Sequence, residues 1–488
     1  MVTATMGERQ QLADEEIACC GGYGAGGVDA QGRATELRPL ALSSPHTQAF
    51  HLAWLSLFAC FFAAFAAPPI LPALRPALVL APTDAPAAAA GSLSAALVGR
   101  LAMGPACDLL GPRRASGLAS LLAALAVAAA ALAASSPAGF LALRFAAGLS
   151  LANFVASQHW MSGIFAPSAV GLANAVAAGW ANVGSAAAQL VMPLAYELVL
   201  RRLGVPVTVA WRVTYLLLPC ALLIATGLAV LSFPYDLPRG AGAGGGAKTS
   251  KSFWMVVRGG VGDYRAWVLA LTYGYCYGVE LIMENVAADF FRKRFHLPME
   301  AAGAAAACFG AMNAAARPAG GVASDAVARL FGMRGRLWVL WAVQTAGAAL
   351  CVLVGRMGAA EAPSLAATMA VMVACAAFVQ AASGHTFGIV PFVSKRSLGV
   401  VSGTTASGGA VGAIVTNRLF FSGSRYTVEE AISLTGAASL VCTLPLALVH
   451  FPSHGGMFCG PTTAAGDDHD GDDDAAAATD HGDYTLLK

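Results

Sequence analysis

Between residues 51 and 451 the chain is a succession of long apolar runs separated by short polar breaks. A helix satisfies its own backbone inside lipid, and about 20 apolar residues cross the hydrocarbon core. Twelve runs meet that length: roughly 51–74, 87–109, 115–134, 138–164, 170–198, 211–233, 264–288, 300–326, 336–355, 364–391, 397–421 and 429–451. The pattern predicts an all-α polytopic membrane protein with twelve spans, numbered here in chain order. The longest internal polar stretch divides them six and six. The expected organisation is a polar tail (1–48), a six-helix half (49–233), a linker (234–263), a second six-helix half (264–452) and an acidic tail (453–488).

The two halves echo each other. Arg100 and Asp108 in span 2 recur as Arg317 and Asp325 in span 8, with Ala and Gly repeated at the same offsets between them. A weaker echo joins Asn182 and Gln189 in span 5 to Ala410 and Asn417 in span 11. Repeated six-helix halves are an architecture transporters use for alternating access. The Ala- and Gly-rich spans suit close helix contact in a bilayer.

Composition narrows the classes. Charged residues are 11% of 488, hydrophobic residues 57%, and mean hydropathy is +0.65. A soluble domain carries roughly 25% charged residues. A net charge of +2 gives no field for a nucleic acid. The 11 cysteines form no metal-binding spacing, and neither a metal nor a cofactor is expected. Protease, hydrolase and phosphate-loop signatures are missing; GAGAGGGAKTS in the linker lacks the glycine before its lysine. Six aspartates in 467–474 read as a solvated tail. Basic clusters at Arg113-Arg114, Arg329/Arg334/Arg336 and Lys395-Arg396 lie on the side of the termini, which places both termini in the cytosol.

Intramembrane charges carry the chemistry. Arg100, Arg144 and Arg317 fall inside spans, where an arginine costs at least about 2.5–3.5 kcal/mol. Arg100 and Arg317 each precede their aspartate by eight residues, a rise of about 12 Å, near the midplane. Two guanidinium forks at one depth suit a shared oxyanion. The bland alternative pairs each arginine with a helix carbonyl or an acid, but no acid lies within one turn of either. Arg144 begins span 4 at a shallower depth, with a structural and a coupling role both open. Asn153, Phe154, Asn182, Gln189, Tyr273 and Tyr277 add amides and aromatics; such amides more often join helices. Glu280 and Glu284 count into the outer half of span 7, which sets an outer-rim position against proton carriage by Glu280. Ser394, beside Lys395 and Arg396, is a candidate phosphorylation site at a cytosolic basic cluster.

At these residues the sequence resembles the plant high-affinity nitrate transporters, in the nitrate/nitrite porter branch of the major facilitator superfamily. The resemblance runs from about residue 51 to 461. It rests on GRLAMGPACDLLGPRRA (99–115), AAGWANVGSAAAQLVMPL (177–194), FWMVVRGGVGDYRAW (253–267), LTYGYCYGVELIMENV (271–286), VPFVSKRSLGVVSG (390–403) and SGGAVGAIVTN (407–417). It implies a major facilitator fold, proton-driven nitrate import across the plasma membrane and a small single-span accessory membrane protein as partner. It also implies that Arg100 and Arg317 hold the anion, that Phe154 and Tyr273 form an aromatic wall, and that Asn182 is the span 5 signature asparagine.

The sequence departs from that pattern. Ala181 and Ser185 stand for glycines of GWGNMGGG in span 5. Ala410 stands for the asparagine of GAGGNFG in span 11, and Asn417 for a glutamine. These changes bear on affinity and rate and leave open a porter for nitrite or chlorate, or a nitrate-sensing protein with little transport.

Overall fold

The computed structural model describes residues 27–29, 32–42, 44–233, 258–394, 398–423 and 425–461. The linker motif, the aspartate-rich tail, and Lys395 and Arg396 lie outside the described residues; Ser394, half-buried, is the last residue before that gap. Ten helical stretches are long and apolar enough to cross a membrane. One of them, Met299–Ala359, contains a break at Gly332, whose φ of 60° ends one helix and starts the next. The helix Leu398–Thr416, continued by a wider turn at Asn417–Phe421, completes twelve crossings. The protein is a multi-pass membrane protein of two six-helix halves. A short hairpin, β1 (His450–Phe451) with β2 (Gly455–Gly456), follows the last span.

Several crossings are two helices in line. Span 1 is α1 (Pro45–Ala64) and α2 (Leu71–Leu78), interrupted where Pro68 and Pro69 cannot donate to the helix ladder. Span 2 is α3 (Asp84–Leu110), and span 3 is α4 (Pro112–Ala133). Span 4 is α5 (Pro137–Leu149), started by the Ser136 hydroxyl accepting from Gly139 N, and α6 (Asn153–Ile164). Span 5 is α7 (Pro167–Leu203) and span 6 is α8 (Val207–Tyr215) with α9 (Ala221–Ser232). Span 7 is α10 (Tyr264–Gly274), capped by Asp263, and α11 (Tyr277–Arg294). Spans 8 and 9 are α12 (Met299–Ala311) and α13 (Asn313–Ala359, broken at Gly332). Spans 10 to 12 are α14 (Leu365–Thr386), α15 (Leu398–Thr416) and α16 (Val428–Thr443), the last opened by a reciprocal Thr427–Glu430 cap.

The halves meet along two seams: α3 against α15, and α7 against α12 and α13. Small residues set the spacing. A methyl on Gly179 would lie 2.6 Å from the Asn313 carbonyl, and one on Gly384 would lie 2.1 Å from the Arg317 carbonyl. Glycine at both points lets α7 and α14 close on the stretch of α13 that carries Arg317. At the far end of span 1, Arg75 of α2 reaches Asp289 of α11 across the halves at 3.9 Å.

Both ends of the described chain near the membrane are packed. Ala34 pairs with the loop after α6, exchanging hydrogen bonds with Ile164 and Ala166. His46 and His51 approach the Gly32 and Pro39 carbonyls at 2.8 and 2.7 Å. After span 12, Trp338 Nε1 donates to the Met457 carbonyl at 3.1 Å.

Candidate anion site between the two halves

Span 7 supplies the centre of the site. Tyr273, Tyr277, Glu280 and Glu284 follow one another at four, three and four residues, so they share one face. The break at Tyr275–Cys276 does not separate the tyrosines: their rings stack at 5.1 Å. Gly409 of α15 leaves room for them, since a methyl there would lie 2.5 Å from Tyr277.

Arg100 and Arg317 come to the same ring from opposite halves. Their guanidinium carbons lie 5.5 and 5.3 Å from the centroid of Tyr277. Their separation is therefore no more than those two distances laid end to end. Both side chains are buried. Arg100 donates from Nη1 to the Ala406 carbonyl (2.9 Å) and from Nη2 to the Tyr277 hydroxyl (3.3 Å). Its Nε is buried with no hydrogen-bond partner. Phe154 lies under the same guanidinium at 5.2 Å. Phe387 closes the aromatic wall, 6.2 Å from Phe154 and 5.3 Å from Tyr273.

Arg317 is held more fully. Its Nη2 donates to Glu280 Oε2 at 2.9 Å, its Nε to Asn313 Oδ1 at 3.1 Å, and its Nη1 to the Tyr273 hydroxyl at 3.5 Å. Asn313 Nδ2 donates in turn to Glu280 Oε1 at 2.7 Å. Glu280 is therefore not on the outer rim. Span 7 extends to Arg294, six residues beyond the end read from hydropathy, and Glu280 falls near its middle. The acid missing from Arg317's own helix comes from the facing one. The bland alternative is thus realised in part: Arg100 does bind a helix carbonyl, and Arg317 does bind an acid.

Arg144 is buried, donating to the Ala64 carbonyl and to Asn285 Oδ1 (2.6 Å), and it ties span 4 to spans 1 and 7. The Asn182 amide donates to the Ala178 carbonyl of its own helix at 2.7 Å rather than to either side of the arginine cluster. Asn153 and Gln189 join helices, Asn153 Nδ2 to Ser56 Oγ (2.9 Å) and Gln189 Nε2 to the Glu284 carbonyl (2.7 Å). Tyr277 was named beside Tyr273 as a span 7 aromatic but not assigned to the anion, and Asn313 and Phe387 were not among the expected residues. The stripe at four, three and four residues in span 7 was the signal for Tyr277; Asn313 and Phe387 are placed by helix crossings that leave no mark in the sequence.

Chemically, the cluster offers two guanidiniums, a buried donor without a partner and an aromatic wall around one carboxyl. That set is suited to a small planar oxyanion, whose oxygens take parallel N–H donors. Among the described residues no three His, Cys, Asp or Glu side chains gather as metal ligands.

Residues 53–416 match the Major Facilitator Superfamily. The "Probable high-affinity nitrate transporter 2.4" of Oryza sativa subsp. japonica is 79% identical over 490 residues, 99% of each chain. The "High affinity nitrate transporter 2.7" of Arabidopsis thaliana is 48% identical over 90% of each chain. Among solved structures, a bacterial homolog of the lysosomal transporter Spinster superposes with a TM-score of 0.56 at 16% identity, covering 83% of this chain and 95% of its own. That likeness concerns the fold.

Proposed function

Because the chain belongs to the major facilitator superfamily and, within it, to the plant high-affinity nitrate transporters, we propose that it imports nitrate together with protons by alternating access. The observation that carries the reading is the pair of buried arginines, one from each half, on the ring of Tyr277. A site shared by both halves is the one place that rocking of one half on the other opens first to one side and then to the other.

Nitrate binds between Arg100 and Arg317, with Phe154, Tyr273 and Tyr277 as its wall. Arg100 offers its unpartnered Nε at once. Arg317 is occupied by Glu280, so the anion and this carboxylate compete for one guanidinium. A proton on Glu280 removes the competitor, and nitrate takes its place. This exchange couples proton to anion without any contact between them. Asn182 stands outside the anion shell, because its amide is engaged with Ala178. Arg144 acts as a clamp among spans 1, 4 and 7.

The plasma membrane, cytosolic termini and a small single-span accessory partner belong to the same reading. Inward nitrate movement against 100 mV costs about 2.3 kcal/mol per charge; one proton per anion cancels that cost, and a second lets the negative interior drive import. Uptake of labelled nitrate, recorded with current in voltage-clamped cells with and without the accessory partner, tests it. Saturable, acid-stimulated, inward-current uptake is expected, with nitrite and chlorate as competing anions. Flux indifferent to bath pH would exclude proton coupling.

A further inference from the structure

Span 7 carries a second acid that the anion site leaves unused. Glu284 lies one turn beyond Glu280 and is buried between α11 and α7. Among the described residues it forms no ion pair. Its Oε1 meets the Ser185 hydroxyl, and its Oε2 is buried without a hydrogen-bond partner. From α7 it faces Ser185 and Gln189, both uncharged. The charged groups that act on it are Glu280 on its own helix and Arg317 on α13, and those two are paired with each other. On α12, Gly310 gives the hydroxyl its space, since a methyl there would lie 3.0 Å from Ser185 Oγ.

We propose that Glu284 and Ser185 form a second proton site, so that Glu280 and Glu284 each carry one proton inward with every nitrate. The proposal rests on the nitrate reading above and assigns its second proton.

Hydrogen-bond inventory supports it. The Ser185 hydroxyl owns one proton and faces two oxygens, Glu284 Oε1 and the Asn182 carbonyl at 2.8 Å. A carbonyl only accepts. When the hydroxyl donates to Asn182, the contact with Oε1 requires a proton on the carboxyl, which then donates to Ser185. When the carboxyl is ionised, the hydroxyl turns and donates to Oε1. A rotation of one O–H bond therefore satisfies both protonation states with no heavy atom displaced. A buried carboxylate with no cation is unfavourable, and a proton neutralises it. Oε1 is thus the atom that takes up this proton from the outer water and returns it to the inner water as access alternates, while the buried Oε2 stays without a partner.

Charge then balances in a way that can be read. One nitrate with two protons moves one net positive charge inward; one nitrate with one proton moves none. In voltage-clamped cells supplied with labelled nitrate, the unmodified protein moves one charge per nitrate. Glu284→Gln, fixed in the neutral form, continues to take up nitrate at acidic pH with no net charge per nitrate. An unchanged ratio of one in that variant overturns the second site while leaving the nitrate reading intact. Absence of any nitrate-dependent flux in the unmodified protein overturns the nitrate reading and this proposal with it. Should Glu284→Gln fail to reach the surface, Ser185→Ala leaves the carboxyl in place and removes its hydroxyl. It shifts the pH of half-maximal current while uptake at acidic pH keeps its half-saturation concentration; a pH profile identical to that of the unmodified protein overturns the assignment.

Discussion

Glu280 Oε2 lies 2.9 Å from Arg317 Nη2, and neither side chain reaches solvent. Removing one member of a buried pair typically costs about 3–5 kcal/mol, because the other is left charged and alone. An anion that restores the balance recovers that loss. In the proposed exchange this single relationship makes the site sensitive both to nitrate and to protons.

The first prediction follows directly. Glu280→Gln keeps the shape of the carboxyl and leaves Arg317 without a competing charge. Nitrate affinity at alkaline pH is expected to rise to the level the unmodified protein reaches in acid, and its pH dependence to flatten. Nitrate-induced thermal stabilisation of the purified protein at two pH values measures this. A variant that keeps the original pH dependence would contradict the exchange at Arg317.

Tyr277 provides a graded test. Tyr277→Phe retains the ring beneath both guanidiniums and removes the hydroxyl that accepts from Arg100. A hydrogen bond to a charged group contributes about 1.5–3 kcal/mol. The contact is long at 3.3 Å, so the low end applies, about tenfold in half-saturation concentration. Tyr277→Ala removes the support as well and is expected to abolish saturable uptake. Equal half-saturation constants for all three proteins would remove Tyr277 from the site.

Gly409→Ala places a methyl 2.5 Å from the Tyr277 ring. The tyrosine must shift, and both arginines lose their common rest. Lowered nitrate affinity at normal surface expression is expected in a concentration series of labelled uptake. Full activity would show that the tyrosine pair relocates at no cost to the anion.

Much of this arrangement was legible in the sequence. The twelve crossings, the division into halves and the repeated arginines are properties of hydropathy and of rare charges in lipid, and both leave a local mark. The partner of Arg317 was not legible from its own helix, because Glu280 belongs to another span whose C-terminal end the hydropathy pattern placed too early. Arg292, Lys293 and Arg294 lower the hydropathy of the last turn, yet α11 continues through them. The echo between Asn182 and Ala410 did not reveal what either residue touches: Ala410 is fully buried, and the Asn182 amide turns back on its own helix. Ser185 was visible only as a departure from glycine; its meaning came from Glu284 across the helix interface.

The central claim is that one anion is held by the guanidinium forks of Arg100 and Arg317 together. Arg100→Lys and Arg317→Lys preserve charge while removing the planar fork. The decisive measurement is labelled nitrate uptake by each variant at surface expression equal to that of the unmodified protein. The account predicts that both substitutions abolish saturable uptake. Near-normal uptake by either variant would contradict it.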